Sequence, residues 1–129
     1  MGKLIDGPAH VGIMVGDLQT AIDFYTNILE FELIERTAFK KGHIGFVQNG
    51  GLILELVQPG EYATKVDGPV DHIALCVHDI EKVKTRLEER GIKFLDEEIT
   101  YAPPIFPNGS KFIMFLGPFG EKIEINEVL

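Results

Sequence analysis

Apolar residues alternate with small or polar ones in two short stretches that are near copies of each other. The first reads His10-Val11-Gly12-Ile13-Met14-Val15-Gly16-Asp17-Leu18. The second, 62 residues on, reads His72-Ile73-Ala74-Leu75-Cys76-Val77-His78-Asp79-Ile80. A period of two is the mark of a strand with one buried face. After each stretch the period lengthens to that of a helix. Leu18, Ala21, Ile22 and Tyr25 form the apolar stripe in the first copy, and Ile80, Val83 and Leu87 in the second. Asp17 and Asp79 stand where a helix N-cap is needed, and a carboxylate there accepts from free amides of the first turn. Gly91 supplies the stop for the second helix. Three extended segments then follow in each copy, near 32–37, 44–48 and 52–58 in the first and near 93–97, 111–116 and 122–126 in the second.

The unit is therefore βαβββ, written twice in an α+β chain. The modules run approximately over 1–60 and 68–129 of a single domain, 1–129. The turn-forming run from Pro59-Gly60-Glu61 through Asp67-Gly68-Pro69 separates them. The back halves align at an offset of 69, which pairs Glu55 with Glu124, Phe46 with Phe115 and Gly51 with Gly120. The second copy is thus longer in its middle. Its extra residues fall in the Pro- and Gly-rich stretch 102–110, a loop by its turn chemistry.

Composition narrows the classes of partner. Twelve basic residues face twenty acidic ones, a net charge of −8 with no basic cluster. Nucleic acid and anionic membrane surfaces are poor partners for such a chain. The single cysteine, Cys76, allows no internal disulfide, which fits a reducing compartment. The first residues lack the apolar core of a signal peptide, and no apolar run is long enough to span a bilayer. A soluble cytoplasmic protein acting on a small molecule is the expectation.

Strand alternation also places the chemistry. Val11, Ile13 and Val15 share one face, leaving His10, Gly12 and Met14 on the other. Ile73, Leu75 and Val77 likewise leave His72, Ala74 and Cys76. In the last strands Leu52, Leu54 and Leu56 set Glu55 on the opposite face, and Ile123 and Ile125 do the same for Glu124. The branched apolar faces suit packing against helices, so two His and two Glu project from the other side. A lone His at a strand start is ordinarily a polar strand end, and a lone Glu in an apolar strand ordinarily faces solvent. Their repetition in both copies is what suggests a shared role. Two such units related by a pseudo-twofold would gather His10, Glu55, His72 and Glu124 into an N2O2 site for one divalent metal ion. Two positions would stay open for water or substrate. Nickel, cobalt, zinc and manganese all accept such donors. His43 and His78 do not repeat and read as surface or loop residues. Cys76, with no basic neighbour in sequence, reads as a small pocket or core residue.

The chain resembles the vicinal oxygen chelate superfamily, whose members include glyoxalase I, methylmalonyl-CoA epimerase, extradiol dioxygenases and the bleomycin- and fosfomycin-resistance proteins. The resemblance covers nearly the whole chain. It rests on His10-Val11-Gly12-Ile13, Ala21-Ile22-Asp23-Phe24-Tyr25, Leu54-Glu55-Leu56, Asp71-His72-Ile73-Ala74 and Gly120-Glu121-Lys122-Ile123-Glu124. It implies a curved mixed sheet around a metal-binding cleft, and a homodimer. It also implies a lyase or isomerase of the glyoxalase type, which moves a proton next to a carbonyl through a metal-bound enediolate. Glu124 would be the base, Glu55 would handle the proton on the other face, and His10 and His72 would hold the ion. Glutamate at Glu55 matches glyoxalase I, where the epimerase typically has Gln. Two positions depart from the glutathione-using pattern: Met14 stands where an Arg would be, and Pro59 where an Asn would be. The resemblance therefore implies the chemistry more closely than it implies glutathione. The other members keep three alternatives in view: an epimerase or racemase, a non-enzymatic binding or resistance protein, and a metal-dependent dioxygenase. Candidate substrate contacts are Met14 and, around the inserted loop, Tyr101, Phe106, Asn108 and Lys111.

Overall fold

The computed structural model describes residues 8–39, 42–61, 70, 72–103 and 108–129. The chain divides into two compact units, Met1–Ala63 and Thr64–Leu129. In the first, β1 (Val11–Met14) leads into α1 (Leu18–Asp23), which widens into a π-helical turn over Phe24–Ile28. Strands β2 (Glu32–Phe39), β3 (Gly42–Asn49) and β4 (Leu52–Pro59) follow. In the second, β5 (Ile73–Cys76) leads into α2 (Ile80–Glu89), then β6 (Thr100–Ala102), β7 (Ser110–Leu116) and β8 (Lys122–Val128). Each unit closes its own four-stranded mixed sheet, ordered β1-β4-β3-β2 and β5-β8-β7-β6. The first strand runs parallel to the last in each, and the other pairings are antiparallel. The α+β reading and the doubled βαβββ pattern both hold.

The helices start where the sequence places their caps. Asp17 accepts from the backbone N–H of Thr20 at 2.9 Å and from its hydroxyl at 2.7 Å. Asp79 accepts from the N–H of Lys82 at 3.3 Å. A second oxygen reaches each helix start from the last strand. The N–H of Leu18 donates to Gln58 Oε1 at 2.7 Å, and that of Ile80 to Glu127 Oε1 at 2.8 Å. Gln58 and Glu127 each stand three residues beyond the repeated Glu, so the duplication extends to how the free helix amides are satisfied. Gly91, with φ +92°, ends α2 in the left-handed turn that glycine adopts without strain.

The helix side of each sheet is its core. Leu18, Ala21, Ile22 and Tyr25 are buried with Ile13, Val15, Val47, Leu54 and Leu56. Gly45 lets α1 lie close on β3, because a Cβ there would stand 3.1 Å from Ile22 Cδ1 and 3.2 Å from Leu18 Cδ1. In the second unit Ile80 and Leu87 are buried, as are Ile113, Phe115, Ile123 and Ile125. No helix among the described residues is long and apolar enough to cross a membrane.

Two expectations change. The extended segment near 93–97 is not a strand. Phe94 makes an isolated bridge to Phe115, and the Leu95 N–H donates to Met114 O at 2.9 Å. The chain then bends over 95–98 and resumes pairing only at Thr100. Exposed Asp96-Glu97-Glu98 has no apolar alternation to bury, so the edge is broken in two. The second change concerns register. Phe46 pairs with Glu55, whereas Glu124 pairs with Met114. The offset of 69 therefore holds for the last strands but not for β3 and β7. Met114, not Phe115, is the counterpart of Phe46. A slip of one residue in a strand exchanges its faces, and Phe115 is fully buried on the helix side while Phe46 is not.

Candidate metal-binding half-sites

In the first unit, the face of the sheet away from α1 carries a line of paired residues. Gly12 stands beside Glu55, which pairs with Phe46. One step along, Met14 stands beside Val57, which pairs with Ile44. His10 lies just before β1, on the same side as Gly12 by alternation. Its Nε2 is 3.6 Å from Glu55 Oε1, and its ring meets the Phe46 ring edge-on at 5.6 Å between centroids. The imidazole thus has an aromatic ring and a carboxylate as neighbours.

The second unit repeats the arrangement. Ala74 stands beside Glu124, which pairs with Met114. His72 Nε2 lies 3.6 Å from Glu124 Oε1. That spacing is too long for a direct hydrogen bond. The two pairs differ in surroundings: the side chain of Glu55 is 23% exposed and that of Glu124 only 9%. Asn126, two residues along β8, donates from Nδ2 to Glu124 Oε2 at 3.0 Å, and Ser110 Oγ donates to Asn126 Oδ1 at 3.3 Å. The matching place in β4 is Val57, whose side chain has no polar atom. Both Asn126 and Phe46 were missed by sequence reasoning. Asn126 was legible as a polar residue at period two from Glu124; Phe46 was hidden by the offset of 69.

The four sequence-predicted donors are thus brought together as two pairs. Among the described residues, no three His, Cys, Asp or Glu side chains gather at one point. Met14 is on the Glu55 face and 59% exposed. Lys111 alternates with Phe112 onto the other face of its sheet, where its amine meets Glu81 of α2 at 3.3 Å. Glu81 has its carboxyl held below the usual range by its own backbone N–H and then by Lys111. Tyr101 pairs with Lys111, so it too points away from the Glu124 face. Asn108 is an exposed turn residue, and Phe106 lies outside the described residues. Cys76 is exposed rather than packed in the core. His43 and His78 are exposed, on β3 and before α2.

Two matched sheets, each presenting a His from just before its first strand beside a Glu of its last, define a class that the sequence itself identifies. The chain belongs to the glyoxalase/bleomycin resistance protein/dioxygenase superfamily, which it matches over residues 7–125. It is 38% identical to the Bacillus subtilis protein YwbC over 129 residues, covering 96% of this chain and 97% of that one. It is 33% identical over 127 residues to the lactoylglutathione lyase of Salmonella typhimurium, covering 92% of this chain and 90% of the enzyme. A glyoxalase family protein from Enterococcus faecalis has the same fold, with a TM-score of 0.81 at 24% identity over 97% of this chain and all of that one.

Proposed function

We propose that His10 with Glu55, and His72 with Glu124, are the two halves of a site for one divalent metal ion, and that the chain is a metal-dependent lyase or isomerase. The observation that carries this reading is the same 3.6 Å spacing of imidazole nitrogen and carboxylate oxygen at matching places in both units. The donors fit such an ion. Two ligands of one ion, each about 2.1 Å from it, stand roughly 3.0 Å apart at a right angle and about 4.2 Å when opposed. The observed spacing falls between these values.

The proposed reaction moves a proton at a carbon next to a carbonyl. When bound, the ion would supply Lewis acidity that stabilises the negative charge left on the substrate oxygens. Glu124 takes the proton: the C–H bond breaks, an O–H bond forms on the carboxylate, and the electron pair stays with the substrate. Its burial keeps competing water away. Glu55, more exposed, serves the proton on the opposite face. His10 and His72 hold the ion and move no proton.

The substrate is a small α-hydroxycarbonyl compound with an apolar substituent. Beside Glu55 the face is built by Met14, Ile44, Phe46 and Val57, and among the described residues no Lys or Arg shares it. That surface suits an apolar group better than the carboxylates of glutathione, although the Salmonella relative is named a lactoylglutathione lyase.

The test is incorporation of solvent deuterium into hydroxyacetone and 2-hydroxyacetophenone by metal-loaded protein. Exchange is expected with both and faster with the aromatic compound. Glu124→Gln should lower it by roughly 10²–10⁴-fold with the fold intact. Exchange near the wild-type rate in that variant would remove Glu124 from the role.

A further inference from the structure

The two halves share their His and Glu but not what supports the Glu. On β8, Asn126 follows Glu124 by two residues and so projects from the same face. Its Nδ2 donates to Glu124 Oε2 at 3.0 Å, while Oε1 is the oxygen that faces His72. The amide is itself held: Ser110, 1% exposed, donates its hydroxyl to Asn126 Oδ1 at 3.3 Å. This polarity is the one that chemistry requires, since an ionised carboxylate only accepts and needs the amide nitrogen toward it. In the first unit, Val57 takes the place of Asn126 and Gly42 that of Ser110, so neither donor is present there.

We infer that Asn126, held by Ser110, is a positioning residue that fixes the carboxylate of Glu124 and makes the two halves of the site unequal. The terminal torsion of a glutamate is soft, with a broad minimum. An unsupported carboxylate can therefore offer either oxygen, or both, to a neighbouring group. With Oε2 engaged by Asn126, Glu124 presents Oε1 alone and in one orientation. Glu55 has no such amide donor among the described residues and keeps its freedom to turn. The duplication thus yields one fixed and one adaptable carboxylate, which suits Glu124 to the oriented proton transfer and Glu55 to the supporting role. This inference rests on the metal-site reading above.

Titration with Co(II) alone, followed by visible absorption and by calorimetry, tests it without a substrate. Wild type should bind with a defined spectrum. Asn126→Ala should bind roughly 10-fold more weakly and with an altered absorption envelope, because Glu124 can then change how it ligates. Ser110→Ala should shift both in the same direction by less, and it carries the test if Asn126→Ala fails to fold. Glu81→Gln, on α2 at the helix-bearing side of the second sheet, should leave both unchanged. Wild-type protein that binds no Co(II) would overturn the metal-site reading. A wild type that binds it, with the Asn126 and Ser110 variants matching its affinity and spectrum, would overturn this inference and leave that reading standing.

Discussion

Glu55 and Glu124 are the same residue type at matching places, yet their surroundings differ. One has Val57 where the other has Asn126 and is partly open, and the other is nearly covered and held by Asn126. Opposite them stand Gly12 and Ala74. A Cβ on Gly12 would lie 3.5 Å from Glu55 Oε1, an ordinary contact, and the second unit already carries that methyl as Ala74. Gly12→Ala should therefore keep metal binding and melt at or slightly above the wild-type temperature, since alanine restricts the unfolded chain more than glycine does. A clear fall in melting temperature would show that the first half-site needs the open space. At this scale the sequence disclosed His10, Glu55, His72 and Glu124 through alternation and repetition. It did not disclose the role of Phe46. Its place depended on a register that only backbone pairing reveals, and one residue of slip separates a ring beside His10 from one buried under a helix.

Helix ends and edge strands show where local chemistry was and was not enough to read the elements. Asp17 and Asp79 were legible as caps because the capping bond spans only three residues. Gln58 and Glu127, which reach the same helix starts from 40 and 47 residues away, were not, since no local pattern marks a long-range donor–acceptor pair. An extended segment was expected near 93–97, but the consecutive charges Asp96, Glu97 and Glu98 give the chain no alternation that would carry the pairing on beyond Leu95. The cap has a pH signature. Hydrogen bonds from the Thr20 backbone and hydroxyl hold the Asp17 carboxyl below its ordinary 3.8. A carboxyl lowered in the folded state stabilises the fold fully at pH above its unfolded value, and that contribution is lost as pH falls through the folded value. Asp17→Ala should therefore melt a few degrees lower than wild type near neutrality. The gap should narrow once pH drops below 3.8. A gap that stays constant across that range, followed by circular dichroism, would mean Asp17 acts through something other than its charge.

Across the whole molecule, duplication is what turned ordinary strand residues into a candidate site. Neither His–Glu pair alone would distinguish itself from a polar strand end, but both recur with the same donor atoms and the same 3.6 Å spacing. The substrate was less legible for a physical reason. Lys111 and Tyr101 lie near the inserted loop in sequence, but strand alternation turns them to the helix-bearing face, and Lys111 meets Glu81 there. Each half would supply one imidazole and one carboxylate, so the proposed four-ligand site predicts one ion per chain. Elemental analysis of the purified, metal-loaded protein counts it directly. Wild type should hold one divalent ion per chain, and His10→Ala and His72→Ala should each hold almost none. Full occupancy in either variant, or two ions per wild-type chain, would contradict the four-ligand site.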